Sequence, residues 1–163
     1  MLNSWFADEY AATHTGGTVM SATVAMLKIN GLDLMFSQGE IRTLESASDV
    51  DGSAPKEKSV GWIHYMQQRW PVYCLSEQLD LLISVPTSRR TCALLTLETG
   101  YIGMLCDDVS IMKQVTGQRH DIPLSMKTVD TPIQGLLVND GRLLCVSGAN
   151  QLAAYVEHLI HSV

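Results

Sequence analysis

The sequence is short of several things, and each shortage removes a class of function. No run of apolar residues approaches the roughly 20 that a membrane-spanning helix needs. Only 11 Lys and Arg stand against 17 Asp and Glu, for a formal net charge of −6. Arg89-Arg90 is the only adjacent basic pair. Without clustered cations there is little to displace counterions from a phosphate backbone, so no nucleic-acid partner is expected. The first ten residues carry Asp8 and Glu9 and no basic leader, unlike a signal peptide, so an intracellular, cytoplasmic protein is expected. There is no C-x-x-C. Cys74, Cys92, Cys106 and Cys145 each sit inside an apolar run and read as reduced, buried thiols, not as zinc or redox ligands. Neither G-x-x-x-x-G-K nor G-x-G-x-x-G occurs, so Gly16-Gly17 and Gly31 make no phosphate cradle. No cofactor or metal is expected.

What the chain does have is apolar residues, at 46%, enough for a substantial core. They gather around Gly61–Leu75, G-W-I-H-Y-M-Q-Q-R-W-P-V-Y-C-L. Two arms of strand formers flank the polar Met66–Arg69, which reads as a β-hairpin without the Asn-Gly or Asp-Gly that secures the turn. Pro71 cannot donate to a ladder, which predicts an edge strand or a bulge. Asn30-Gly31, between Ala22–Ile29 and Leu32–Phe36, marks a second hairpin, and Asn139-Asp140-Gly141 marks another. Ile41–Leu44, Cys92–Glu98, Tyr101–Cys106 and Val109–Val115 read as further strands. Ser46–Ser59 and Thr116–Lys127 read as loops. Leu75, Leu79 and Leu82 have helical spacing, with Ser76 as a possible N-cap. A closing helix is expected from about Ala149, with Leu152, Val156, Leu159 and Ile160 on one face.

The count is about ten short strands in hairpins with one or two helices, an all-β pattern. The chain also repeats faintly. Gly31 and Gly100 close the first hairpin of each half, Gly61 and Gly135 open the second, and Val72 and Val146 match at the same separation. Two related small five-stranded barrels, side by side, account for that repeat.

The order of these pieces resembles the CheW family of bacterial chemosensory adaptors. Gly61, Ile63, Pro71, Val72 and Leu75 fall on the family's G-V-I-N-L-R-G…P-V-x-D-L. Gly103, Met104, Leu105, Cys106, Asp107 and Val109 follow its G-L-L-V-D-x-V. Ile133, Gly135, Asp140, Gly141, Arg142 and Leu143 follow its I-x-G…D-G-R-L, and Leu34–Phe36 with Ile41 and Leu44 its early strand and V-x-x-V. The resemblance spans about Ala22 to Ala154. Residues 1–21, which mix Ala, Thr and Gly with Trp5, Phe6 and Tyr10, read as a flexible leader or a short helix docking its aromatics on the body, and the resemblance implies one domain over 22–163, built of two intertwined SH3-like β-barrels. It implies a non-enzymatic scaffold that binds the cytoplasmic tip of a chemoreceptor and the regulatory domain of a CheA-type histidine kinase, without inserting into the membrane. By motif position the partner-binding residues are Ile41, Leu44, Gly61, Ile63 and Met66. The chain departs from the pattern at the turn, where Asn-Leu-Arg-Gly is His64-Tyr65-Met66-Gln67, and at Cys74, where the family has aspartate. Met66 has no fixed charge to replace the arginine, which implies altered partner contacts and, as the alternative reading, an accessory or inhibitory array component that binds only one partner.

Other chemistries are weaker on the same residues. His64 and Cys74 lie in the central hairpin, and a small hydrolase or ligand-binding barrel using them needs an activated thiolate and an orienting third group. Neither is legible nearby. Asp107-Asp108 reads as a turn and not as an acid-base pair. His158 and His161 suit the negative end of a helix dipole, and no third metal ligand accompanies them.

Overall fold

The computed structural model describes residues 18–123 and 131–162. The expected leader lies outside them up to residue 17; from Thr18 the chain is already strand. Ten strands and a helix follow: β1 (Thr18–Ile29), β2 (Leu32–Ser37), β3 (Ile41–Ser46), β4 (Gly61–Tyr65), β5 (Gln68–Cys74), β6 (Thr91–Leu97), β7 (Gly100–Cys106), β8 (Asp108–Asp121), β9 (Gly135–Asn139), β10 (Arg142–Val146) and α1 (Ala149–His161).

The strands form two five-stranded units. One is a closed barrel in the order β1-β2-β10-β9-β8, the other a sheet in the order β3-β6-β7-β5-β4. Each is built alike. A hairpin (β1–β2 or β6–β7) joins a second hairpin (β9–β10 or β4–β5) through a parallel seam, β2 with β10 or β7 with β5. A further strand, β8 or β3, pairs antiparallel with the first hairpin. The halves exchange parts, because β1–β2 and β8–β10 make the barrel while β3–β7 make the sheet. Gly61 pairs with Val72 and Gly135 with Val146, so the repeat in the sequence is a repeat of register.

Three apolar clusters follow from that arrangement. Val24, Met26, Met35, Leu137 and Val146 fill the barrel. Ile63, Trp70, Val72, Cys92, Leu94 and Leu105 line the concave face of the sheet. The largest lies between the units, where Leu27, Ile29, Leu34 and Phe36 meet Tyr73, Leu95, Met104 and the α1 face of Leu152, Val156 and Ile160. Alternation along each strand supplies this, since successive side chains point to opposite faces and both faces of β6 and β7 are covered. The helix is anchored at both ends. The Glu40 carboxylate accepts from the Ala149 N–H at 2.9 Å, and Lys58 Nζ donates to Leu159 O at 3.0 Å, each charge matching its end of the dipole.

Three expectations are corrected. Ser76–Leu82 is not a helix. Ser76 Oγ accepts from the N–H groups of Gln78 and Asp80, Leu79 has φ 65°, and Leu81 bridges back to Leu75. A stretch barely two turns long gains too little from helix propagation to outcompete these local bonds. Pro71 lies in a strand paired on both sides, not at an edge. Trp62 gives its backbone N–H and C=O to Asp51, so the Trp62–Pro71 pair is not hydrogen bonded. The missing donor of Pro71 therefore faces β7, whose ladder begins only at Val72. Thr116–Asp121, expected in a loop, continues β8, where its even-odd pairing with β1 and β9 overrides a polar composition. Residues 124–127 of that expected loop lie outside the described residues.

Candidate partner-binding face

The β4–β5 hairpin projects its turn at the end of the open sheet. Tyr65 pairs with Gln68, leaving Met66 and Gln67 as the two turn residues, with φ of 51° and 63°. Both are left-handed, as a two-residue turn that follows strand twist requires. The barrel's two hairpins meet the same demand with Asn30-Gly31 and Asp140-Gly141. Here it falls on side chains that disfavour it by about 1–2 kcal/mol per residue.

Met66 is 67% exposed. Beneath it, Trp70 lies 4.5 Å from Tyr101 with the rings tilted by 44° and meets Tyr65 edge-on at 6.0 Å. The Trp70 Nε1–H donates to Tyr65 O at 3.2 Å, which fixes the indole. Arg42 of β3 and Thr96 of β6 complete a cavity of about 270 Å3 that Met66 and Gln68 border. A flexible thioether over a rigid aromatic floor, with polar groups at the rim, is a surface that can adapt to an apolar partner segment.

The five residues marked by motif position do not form one patch. Ile41 packs against the central cluster, and Leu44, 42% exposed, pairs with Ala93 on β6. Ile63 is 2% exposed and belongs to the concave core. Gly61 is buried at φ 150°, where a Cβ would lie 2.3 Å from Asp51 O. It lets the chain after β3 reach β4. Of the five, Leu44 and Met66 present large exposed apolar surface. The aromatic floor and Arg42 went unread, because the residues composing it are spread from β3 to β7.

A second unread group sits where the two units meet. Arg89, in Val85–Arg90, a stretch whose turn residues and Arg89-Arg90 pair read as a basic link, is 2% exposed. Its guanidinium donates to Asp107 Oδ1 at 2.6 Å, Asn30 Oδ1 at 3.0 Å and Leu75 O at 2.9 Å. Asp107 Oδ2 accepts from the Asn30 N–H at 2.8 Å. Burial raises the Asp107 pKa, but the Asn30 N–H and the Arg89 charge outweigh it and hold the carboxyl below its ordinary value. The network ties the β1–β2 turn to the ends of β5 and β7. Its spacing in sequence carries no signal.

His64 and Cys74 are not brought together. His64 is exposed opposite Arg69, whereas Cys74 is fully buried two residues beyond the end of the β4–β5 ladder. Burial pushes the thiols of Cys74, Cys92 and Cys145 up, and that of Cys106 to about 12. A nucleophilic cysteine needs the opposite shift. Among the described residues no group of three or more His, Cys, Asp or Glu is placed to hold a metal, and no helix is long and apolar enough to cross a membrane.

Two intertwined five-stranded units with a parallel seam in each and a C-terminal helix between them make a CheW-like fold. The fold matches the crystal structure of the scaffolding protein TtCheW from Thermoanaerobacter tengcongensis, with a TM-score of 0.61 and 13% sequence identity over 82% of this chain and 92% of that one. No family model and no curated protein matches the sequence.

Proposed function

We propose that the protein is a chemosensory adaptor, which couples the cytoplasmic tip of a chemoreceptor to the regulatory domain of a CheA-type histidine kinase by protein–protein contact. Residues 22–163 form its single domain, and it works in the cytoplasm at receptor arrays. Holding kinase and receptor in one geometry lets receptor conformation bias kinase activity without any chemistry by the adaptor. The observation that carries the reading is the exposed Met66 turn, held in a left-handed conformation over the Tyr65–Trp70–Tyr101 floor on a CheW-like fold. Strain retained at an exposed turn is a mark of a working surface.

Calorimetric titration with the kinase regulatory domain and, separately, with a receptor-tip fragment tests the proposal. Saturable binding to both at a Kd on the order of 1 μM is expected. Met66-Gln67, standing where the family motif has arginine and glycine, favours one narrower reading: an accessory component that binds the receptor alone. Binding to the receptor fragment without binding to the kinase would select it. Failure of the folded protein to bind either would reject the adaptor.

A further inference from the structure

Behind the β4–β5 hairpin, on the side away from the aromatic floor, an open cavity of about 500 Å3 lies between α1 and the outer face of the sheet. That volume is within the roughly 300–1,000 Å3 of small-molecule sites. Ile102 and Val156, both almost fully buried, form an apolar floor. Tyr73 also lines it. The residue is 2% exposed, yet among the described residues nothing hydrogen-bonds its hydroxyl. The hydroxyl opens onto the cavity, where a ligand atom can meet it. Burial, and then the nearby Glu157 carboxylate, push the phenol up, so it stays protonated.

The charges around the cavity are segregated. The hairpin side carries Lys56 and Arg69, neither with an ion-pair partner among the described residues. Arg69 is preorganised, its guanidinium 4.1 Å from the ring centre of Trp62, whose own Nε1–H is anchored on Ala54 O. The helix side carries Glu157, whose Oε1 lies 2.8 Å from His161 Nε2, leaving its other oxygen to face a ligand. An anion alone would meet Glu157, and a cation alone would meet Lys56 and Arg69. A molecule with one charge of each sign at its two ends, and an apolar body between, satisfies both sides and the floor.

We propose that this cavity binds a dipeptide-sized zwitterion, its ammonium against Glu157 and the Tyr73 hydroxyl oxygen, its carboxylate against Arg69 and Lys56, and its apolar side chains over Ile102 and Val156. An extended dipeptide is about 7 Å long, short enough for such a site. The site adjoins the Met66 face, since Gly100 and Tyr101 border both cavities, but it does not depend on the adaptor reading.

The test is a titration of the isotope-labelled full chain with the dipeptide L-Phe-L-Leu, its N-acetyl form and its C-terminal amide, following the backbone amides of Ile102, Ala153 and Val156, which line this cavity and not the one beneath Met66. Saturable shifts with a Kd on the order of 1 mM are expected for the free dipeptide, with each capped form about fivefold weaker. Glu157→Gln should weaken the free dipeptide and leave the N-acetyl form unchanged, and Arg69→Gln should do the same for the amide. Both side chains are exposed, so these variants keep the fold. Tyr73→Phe, which deletes only the hydroxyl, should weaken the free dipeptide. Absence of saturation by about 10 mM, or equal affinity for free and capped forms, would overturn the proposal.

Discussion

The two five-stranded units share one plan and differ in how they close. In the barrel, β8 is 14 residues long and pairs first with β1 and then, over Gln118–Asp121, with β9. A bulge opposite Ala22–Val24, with Gln114 at φ 54°, lets β8 turn that corner. In the sheet, the counterpart β3 has 6 residues and stops at Ser46. The chain then turns, and among the described residues its backbone pairs with β4 only in the single Asp51–Trp62 bridge. The barrel's hairpins end in Asn-Gly and Asp-Gly, while the sheet's β4–β5 hairpin ends in Met-Gln. One unit is closed and has relaxed turns. The other is open along one side, carries a strained turn and exposes methionine there. The difference teaches that the same strand order can serve as frame or as surface, according to the length of one strand and the residues of one turn.

The largest expected effect lies at the joint of the two units. Asp107→Ala leaves the buried Arg89 charge uncompensated, and the loss of stability should be about 3–5 kcal/mol by denaturant unfolding. If the units unfolded in two steps after this substitution, frame and surface would be separable bodies. The same group sets a pH dependence. Its folded pKa lies below its unfolded one, so its contribution is present above an unfolded value of about 3.9 and is lost as pH falls through the folded value. The stability gap between wild type and Asp107→Asn should therefore shrink below about pH 4.

A matched pair of glycines sharpens the comparison next. At Gly61 a Cβ meets Asp51 O, backbone that cannot give way, whereas at Gly135 it meets the Arg119 guanidinium at 2.5 Å, the far end of a movable side chain. Gly61→Ala should cost about 2 kcal/mol and Gly135→Ala under about 1 kcal/mol, read from paired thermal melts. Equal costs would mean that the single bridge matters no more than the full ladder. Gln67→Gly relieves a left-handed turn residue and should stabilise by about 1 kcal/mol, although it removes part of the proposed surface. Smallest of all, Met66→Ala should shift stability by no more than about 0.5 kcal/mol, because an exposed side chain has little packing to lose.

The turns and the alternation were legible in the sequence because both are local. Asn30-Gly31 and Asp140-Gly141 read directly as turns, and the repeat of Gly61–Val72 in Gly135–Val146 is one of register. What failed was also local in appearance. Leu75, Leu79 and Leu82 mimic a helical stripe, yet Ser76 and the Leu75–Leu81 bridge bend that stretch back on β5. Thr116–Asp121 looks like a loop because its strand character comes from pairing, not from its residues. Long-range chemistry left no trace at all. Arg89 sits in a polar link, and only the fold places it against Asp107 and Asn30. The Met66 floor likewise needs Tyr65, Trp70 and Tyr101 to converge from three strands.

The central claim is that the open sheet binds and the closed barrel frames. It meets its most direct test in two charge insertions at exposed apolar sites, Met66→Asp on the sheet and Leu143→Asp on the barrel, where Leu143 is 57% exposed beside Val138. Each variant is titrated with the kinase regulatory domain and the receptor-tip fragment. The account predicts that Met66→Asp weakens binding at least about tenfold at unchanged stability, while Leu143→Asp binds as the wild type does. A loss at Leu143 with none at Met66 would contradict it.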